Sequence, residues 1–317
     1  MKSNLLDKWS AFRDTPQAKK LKRFLQRGIV LGIIGLIAYQ LTGIGWREVF
    51  QSLPTNPLFY LIFAVLYVSL PFAEIFIYRQ VWTFRPWEGF KAFVSKNIYN
   101  QEVVGYSGEF YLFLWARKRM PDTDKELFKH IRDNSILSAI TSNLVAVLLL
   151  VVLLYTKTIE LEGIIDDVNL YYVLGGVILF IGAVIFAIQF RSYIFSLPVK
   201  KTIVVFLIYL FRFIFDHLGM VFMWAAAISG VSWSVWFTFL AILVVVNRIP
   251  FMPSKDLVFM WVGIEYARMM DVTLASFAAM LLVYSAMKKL LNVFVLSLLS
   301  VTTEQDDEKE TSVEQKE

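Results

Sequence analysis

The chain has 317 residues, of which 57% are hydrophobic and 16% aromatic, with a formal net charge of +5. Several apolar runs have the roughly 20 residues needed to cross a bilayer as a helix, so a soluble globular domain is excluded. Cysteine is absent, which excludes disulfides and thiolate chemistry, and His130 and His217 are too few for a multi-histidine metal centre. The composition predicts an all-α polytopic membrane protein without a metal or other cofactor.

The first 27 residues are basic and amphipathic, with Pro16 dividing them. Such a pattern is typical of short amphipathic helices on an anionic membrane surface, and a charged flank that only fixes orientation explains it equally well. In both cases the segment should lie in the cytoplasm, where it meets anionic head groups. The basic residues elsewhere also lie beside apolar runs, so they indicate membrane topology and not nucleic-acid binding.

Six apolar segments predict membrane spans, at about 28–44, 58–78, 135–155, 170–190, 203–228 and 272–289. A short amphipathic helix at 123–132 should precede the third span. The distribution of Lys and Arg predicts cytoplasmic N- and C-termini. The segment 28–300 should form one transmembrane domain, and the charged tail 301–317 should be disordered.

The stretch GYSGEFYLFLWARKR, residues 105–119, covers the end of an apolar segment of about 90–115 and the first basic residues after it, and basic residues also precede the segment. A simple crossing would leave one basic cluster outside, whereas a re-entrant pair of half-helices folded near 103–108 keeps both clusters inside. The glycines should allow the turn, and the amides and acids should face other helices or water, because irregular backbone at membrane depth must be packed in protein or line a cavity.

A second broken segment combines apolar arms at 236–246 and 257–270 with a polar turn at 247–256 that holds Pro250 and Pro253. Each arm is too short to span comfortably, so we predict a second re-entrant pair, entered from outside. The halves 28–157 and 170–300 would then form an inverted repeat, unless the similarity of the two patterns arises by chance. Paired broken helices in two such halves point to a transport site near the membrane midplane.

Charged and turn-forming residues in the apolar segments are the candidate substrate-binding or transport residues, because a buried charge is costly and must pair or line water. Arg212 and Asp216 are four residues apart and should pair, either as a structural ion pair or as a site where Arg212 binds an anionic head group while Asp216 and His217 tune it or relay protons. Asp256 could alternatively cap a helix. The full set is Glu102, Gly105, Gly108, Glu109, Arg212, Asp216, His217, Asn247, Arg248, Pro250, Asp256, Glu265 and Arg268.

The two broken segments resemble motifs of the lysylphosphatidylglycerol synthase transmembrane-region family of flippase-like proteins. The similar residues are Asn100, Gly105, Gly108, Glu109 and Arg117 in the first motif and Pro250, Pro253, Gly263 and Glu265 in the second. In the second motif the Gly–Glu spacing is one residue shorter, and Ser254-Lys255-Asp256 replaces Gly-Gly. The resemblance implies a lipid-translocating or lipid-binding membrane domain.

The leading hypothesis is a flippase-like protein that moves an amphiphilic, phosphate-bearing lipid between the leaflets of a bacterial-type inner membrane, with membrane lipids as its ligands. No nucleotide-binding motif is present, so an intrinsic ATPase is not expected. A homo-oligomer or a partner biosynthetic enzyme would fit this role. The alternatives are a membrane enzyme on a lipid-linked substrate, with Glu109 or Asp216 as its base, and a non-catalytic scaffold whose charges matter for stability alone.

Overall fold

The computed structural model describes residues 35, 38–39, 41–102, 106–156, 195–249, 255–270 and 272–314. All the regular secondary structure in these residues is helical. The helices are α1 (Trp46–Gln51), α2 (Pro57–Tyr78), α3 (Pro86–Glu102), α4 (Ser107–Arg119), α5 (Asp124–Tyr155), α6 (Val199–Ala227), α7 (Trp233–Arg248), α8 (Lys255–Ala267) and α9 (Leu274–Glu314).

Four of the described helices are long and apolar enough to cross a membrane, in the stretches Pro57–Tyr78, Asp124–Leu153, Val199–Ala227 and Leu274–Leu298. Their outer faces carry large apolar side chains: Phe72, Phe211 and Phe222 each leave more than half of their surface exposed. Apolar surface of this extent requires a lipid environment, and helices satisfy their backbone hydrogen bonds within that environment. The predicted all-α polytopic membrane protein is confirmed.

The helix bounds correct one boundary drawn from the sequence. The predicted short helix at 123–132 and the span at 135–155 form the single helix α5, because neither Gly nor Pro interrupts 124–155. The helix α9 likewise continues to Glu314, over most of the charged tail for which composition alone predicts disorder.

Some predictions concern residues that the structure does not describe, or the orientation of the chain in the membrane. The segment 1–27 and the span at 170–190 lie outside the described residues, and the span at 28–44 is described only in part. The sides of the membrane on which the termini lie stay a prediction.

The chain divides into two compact units, the first with residues 1–55 and 241–285 and the second with 56–240 and 286–317. The division passes through α7 and α9. The units do not follow the halves 28–157 and 170–300, and the inverted repeat stays a prediction.

An aromatic core holds the second unit together where α2, α3 and α4 meet. The Tyr78 ring stacks on Phe93, with 5.1 Å between the ring centroids and 19° between the planes. The rings of Phe93 and Trp115 lie 6.4 Å apart, and Phe84 meets both edge-on. Such pairs add to the free energy gained by burial, so this core fixes how the three helices face one another.

The buried carboxylate of Asp133 fastens the chain that leads into α6. Its Oδ2 accepts hydrogen bonds from the Ser196 amide and hydroxyl, both at 2.6 Å, and from the Leu197 amide at 3.2 Å. Its Oδ1 lies 2.6 Å from Nη2 of Arg132. One side chain of α5 therefore positions the start of α6.

We expect Asp133→Ala to loosen the chain before α6, because hydrogen bonds to a charged group each contribute about 1.5–3 kcal/mol. Hydrogen–deuterium exchange should accelerate in the peptide that contains Ser196 and Leu197. Asp124→Ala is the control, because Asp124 is half exposed and forms a surface ion pair with the exposed Arg117. Unchanged exchange at Ser196 in Asp133→Ala would contradict the anchoring role.

Candidate functional site

The helices α3 and α4 form an antiparallel hairpin in the second unit. The Ser107 hydroxyl donates a hydrogen bond of 2.7 Å to the Tyr99 carbonyl, and the rings of Tyr99 and Tyr111 lie 5.1 Å apart. Further from the break, the ring of Phe93 contacts that of Trp115. Earlier residues of α3 thus pair with later residues of α4, so the two helices run in opposite directions. The predicted break is therefore present as a helical hairpin, and its re-entry into the membrane stays a prediction.

The predicted use of Gly108 in the turn needs a correction, while the role of Gly105 stays a prediction. Among the described residues of the break, the one with left-handed backbone is Tyr106, with φ of 71°; Gly105 lies outside the described residues. Gly108 lies within α4 and allows close packing: a Cβ there would lie 2.0 Å from the Lys96 carbonyl oxygen. Its missing side chain brings the two helices together instead of making the turn.

The side chain of Asn100 joins the two helices at this point. Its Oδ1 accepts a hydrogen bond of 2.8 Å from the Gly108 amide, and its Nδ2 donates one of 3.1 Å to Oε1 of Glu109. The first amides of a helix have no partner within it, so Asn100 of α3 acts as the cap of α4. Glu109 lies in the first turn of α4, where the helix dipole favours a negative charge.

A buried charge cluster lies behind this cap, and we call it the Glu74–Lys96–Glu109 cluster. The Lys96 ammonium contacts Oε1 of Glu74 directly and lies 3.8 Å from Oε1 of Glu109. The exposed fraction of the side chain is 1% for Glu74, 8% for Lys96 and 19% for Glu109. The ammonium also lies 5.7 Å from the centre of the Tyr78 ring. One cation is thus shared by two carboxylates in an aromatic setting.

Each carboxylate of the cluster keeps one oxygen without a hydrogen-bond partner. Oε2 of Glu74 and Oε2 of Glu109 are buried and accept no bond from any described residue. The Tyr78 hydroxyl lies near the Asn134 amide, but the geometry between the two groups is not that of a hydrogen bond. Buried polar atoms are nearly always paired, so these unpaired oxygens mark the cluster as a candidate site.

The predicted pair of Arg212 and Asp216 is confirmed, with 2.7 Å between Nη2 and Oδ2. Asp216 also accepts a hydrogen bond of 2.7 Å from the Ser69 hydroxyl of α2. The positive charge of Arg212 acts on Glu74, and Tyr209, one turn earlier, interacts with both Glu74 and Lys96. The helix α6 therefore brings its ion pair to the edge of the Glu74–Lys96–Glu109 cluster.

Two other candidates of the second unit have separate partners. Glu102 accepts hydrogen bonds of 2.9 Å from Lys289 and from Asn292, whose Oδ1 accepts a bond from the Tyr67 hydroxyl. His217 donates a hydrogen bond of 2.6 Å from Nδ1 to the Phe213 carbonyl, because a carbonyl can only accept. Glu102 therefore bonds to Lys289 and Asn292 and not to Lys96. One ring nitrogen of His217 is used by a hydrogen bond within α6.

The remaining candidates belong to the first unit. Asn247 and Arg248 end α7, and the Asn247 carbonyl accepts a hydrogen bond of 2.6 Å from Lys255. Asp256 lies in the first turn of α8, where its charge complements the helix dipole. The predicted acid–base pair of the second broken segment is present but exposed, with its acid on α8 and its base just after the end of that helix, and Pro250 lies outside the described residues. The pair is Glu265 and Arg268, 3.5 Å apart.

Glu74 and Lys96 are the site residues that sequence reasoning missed. Glu74 is an acid within the predicted span 58–78 and follows Pro71, which removes one helical hydrogen bond. Lys96 precedes Asn100 by four residues, so the two share a helix face. A search for every charge inside an apolar span finds Glu74, whereas a count of basic residues beside the spans treats Lys96 as one of the cations that set topology.

The likeness to the lysylphosphatidylglycerol synthase transmembrane-region family rests on short motifs. Of these residues the structure joins Asn100, Gly108 and Glu109 by hydrogen bonds or close packing, while Gly105 and Pro250 lie outside the described residues. Comparisons of the chain with protein-family models, curated proteins and solved structures found no match, so membership of the family stays a prediction.

Proposed function

We propose that the protein binds an amphiphilic, phosphate-bearing lipid and moves it between the leaflets of its membrane. The observation that carries this proposal is the Glu74–Lys96–Glu109 cluster, which lies against a broken helical hairpin among helices that are apolar enough to span a bilayer. Ionisable groups inside a membrane protein are costly and commonly mark the path of a substrate. Broken helices are the usual way to build such a path.

The helix α6 supports a lipid substrate over a bare ion, because it combines one charged face with an apolar one. Its outer face exposes Phe211, Phe215 and Phe222, on which acyl chains could lie. Its inner face carries Arg212, whose Nε is buried and lacks a partner among the described residues. A guanidinium binds phosphate through two parallel hydrogen bonds, so Arg212 offers the donor that a lipid head group requires.

The structural alternative also has an observation in its favour. Arg212 already pairs with Asp216, and Lys96 already contacts Glu74, so both cations have a carboxylate without any ligand. If these pairs only hold helices together, the charges should matter for stability and not for lipid movement. A swapped pair, Arg212→Asp with Asp216→Arg, would then restore the fold and leave no distinct defect in lipid movement.

The direct test is leaflet exchange in liposomes that contain the purified protein and a fluorescently labelled phosphatidylglycerol. We expect Arg212→Gln to slow exchange by about 10- to 100-fold, since one charge-assisted hydrogen bond contributes about 1.5–3 kcal/mol. Arg212→Lys keeps the charge beside Asp216 but loses the planar fork, so it should slow exchange while preserving the fold.

Arg85→Gln is the matched control, because Arg85 is almost fully exposed and pairs with Glu88 on the surface. It should exchange lipid at the wild-type rate. Absence of exchange by the wild-type protein for every phosphate-bearing lipid would sink the proposed function. Wild-type exchange by a folded Arg212→Gln variant would show that the head group binds elsewhere.

A further inference from the structure

We propose that the Glu74–Lys96–Glu109 cluster is a proton-binding site and that Glu109 is the carboxylate that gains and loses the proton. A hydronium ion from the aqueous phase would transfer the proton to Oε2 of Glu109, an oxygen that lacks a partner among the described residues. One O–H bond of hydronium breaks as the O–H bond of the carboxylic acid forms, and the donor leaves as water. The proton site stands on its own, whereas its link to lipid binding rests on the proposed function.

The charge balance of the site supplies the first argument. Glu74, Glu109 and Asp216 contribute three carboxylates, and Lys96 and Arg212 contribute two cations, so one negative charge is uncompensated. Burying an uncompensated charge in a low-dielectric interior costs several kcal/mol, and such a group binds a proton instead. A single proton makes the site neutral.

Among the described residues, the other titratable groups packed around the site add no further charge to this balance. Tyr78 of α2 and Tyr209 of α6 are buried neutral phenols. From α5, Asn134 is uncharged, while Arg132 and Asp133 pair with each other, and Asp133 also holds the chain before α6. The excess negative charge is therefore confined to the carboxylates beside Lys96.

The geometry selects Glu109 over Glu74. Glu74 is only 1% exposed and contacts the Lys96 ammonium directly, whereas Glu109 is 19% exposed and lies 3.8 Å from that ammonium. A proton on Oε2 of Glu109 leaves its Oε1 bonded to Asn100. The Lys96 ammonium then forms its ion pair with Glu74 alone. Protonation of Glu109 therefore preserves both the Lys96–Glu74 contact and the Asn100–Glu109 hydrogen bond.

Protonation of Glu109 should also strengthen phosphate binding at Arg212. The negative charge of Glu74 acts on Arg212 and weakens its attraction for an anion. Once Glu109 is neutral, the positive charge of Lys96 fully compensates the negative charge of Glu74. Arg212 then attracts a phosphate more strongly. Because linkage is reciprocal, a bound phosphate should in turn favour proton uptake, which lets a proton gradient drive lipid movement.

The test uses infrared difference spectra of the full-length protein in nanodiscs of zwitterionic lipid, recorded as the pH is lowered. We expect a carboxylic acid C=O band from Glu109 that Glu109→Gln removes. Glu88→Gln, an exposed Glu of the same hairpin, should keep the band. Persistence of the band in Glu109→Gln, or its loss in Glu74→Gln alone, would overturn the assignment.

The link to lipid is measured separately, by adding phosphatidylglycerol to weakly buffered protein that contains a pH-indicator dye. Wild-type protein should take up protons on binding, and Glu109→Gln should bind without uptake. Binding by the wild type without proton uptake would overturn the link, even if lipid moves between leaflets. No binding at all would instead count against the proposed function, while the infrared band still decides the proton site.

Discussion

Replacement of Lys96 by Met should lower the free energy of unfolding by about 3–5 kcal/mol, the cost typical of removing one partner of a buried ion pair. Among the described residues, the Lys96 ammonium is the one cation that lies within ion-pair distance of both Glu74 and Glu109. Met keeps most of the volume and the apolar stem of Lys, so the change removes charge without opening a large cavity. Reversible unfolding in mixed detergent micelles measures the loss.

A second variant separates the lost charge from a packing defect. In Lys96→Met with Glu74→Gln, the buried carboxylate that has lost its cation is also removed, so we expect much of the stability to return. Lys118→Met is the control for introducing Met on the same hairpin, because Lys118 is exposed at the end of α4. It should lie within about 0.5 kcal/mol of wild type.

Two results would contradict this account of Lys96. Wild-type stability of the single variant would mean that the carboxylates do not need the cation. Equal losses in the single and the double variant would mean that packing around the Lys96 stem, and not its charge, is what the site requires. In the second case the charge balance behind the proton site would also fail.

Local spacing predicted the parts of the site that depend on one helix. Arg212 and Asp216 are four residues apart, which places them on one face whatever surrounds α6, and the structure pairs them. The break between α3 and α4 was also predictable, because basic residues on both flanks of the apolar segment disfavour a simple crossing. Each inference used only neighbours along the chain.

The contact between Glu74 and Lys96 could not be found in this way, because it depends on how two helices turn toward each other. The rings of Tyr78 and Phe93 stack one turn away on each helix, and this packing sets the faces that meet. A count of basic residues assigns Lys96 to a loop, since it registers charge and not burial. In the structure Lys96 lies in the buried part of α3.

Replacement of Gly108 by Ala should destabilise the α3–α4 hairpin and at the same time disrupt the Glu74–Lys96–Glu109 cluster. The added Cβ would lie 2.0 Å from the Lys96 carbonyl oxygen and 2.9 Å from the Asn100 side chain. A backbone atom cannot turn aside as a side chain does, so α3 and α4 must separate. Overpacking of this kind costs about 1–3 kcal/mol and sometimes more.

Separation of the two helices should also disturb the bonds that define the site. Asn100 would lose its short contact to the Gly108 amide, and Glu109 would move away from Lys96. We therefore expect Gly108→Ala to lower both the unfolding free energy and the infrared band of Glu109, whereas Glu109→Gln removes the band and leaves the backbone in place.

Gly43→Ala is the control for Gly108→Ala, because Gly43 lies in a helical stretch with open space around its Cα. Ala favours a helix over Gly by up to about 1 kcal/mol, so this variant should be as stable as wild type or more stable. If Gly108→Ala behaved in the same way, α3 and α4 would not be in the close contact that the cluster needs. The Asn100 cap, the shared ammonium and the proton site would then lose their common basis.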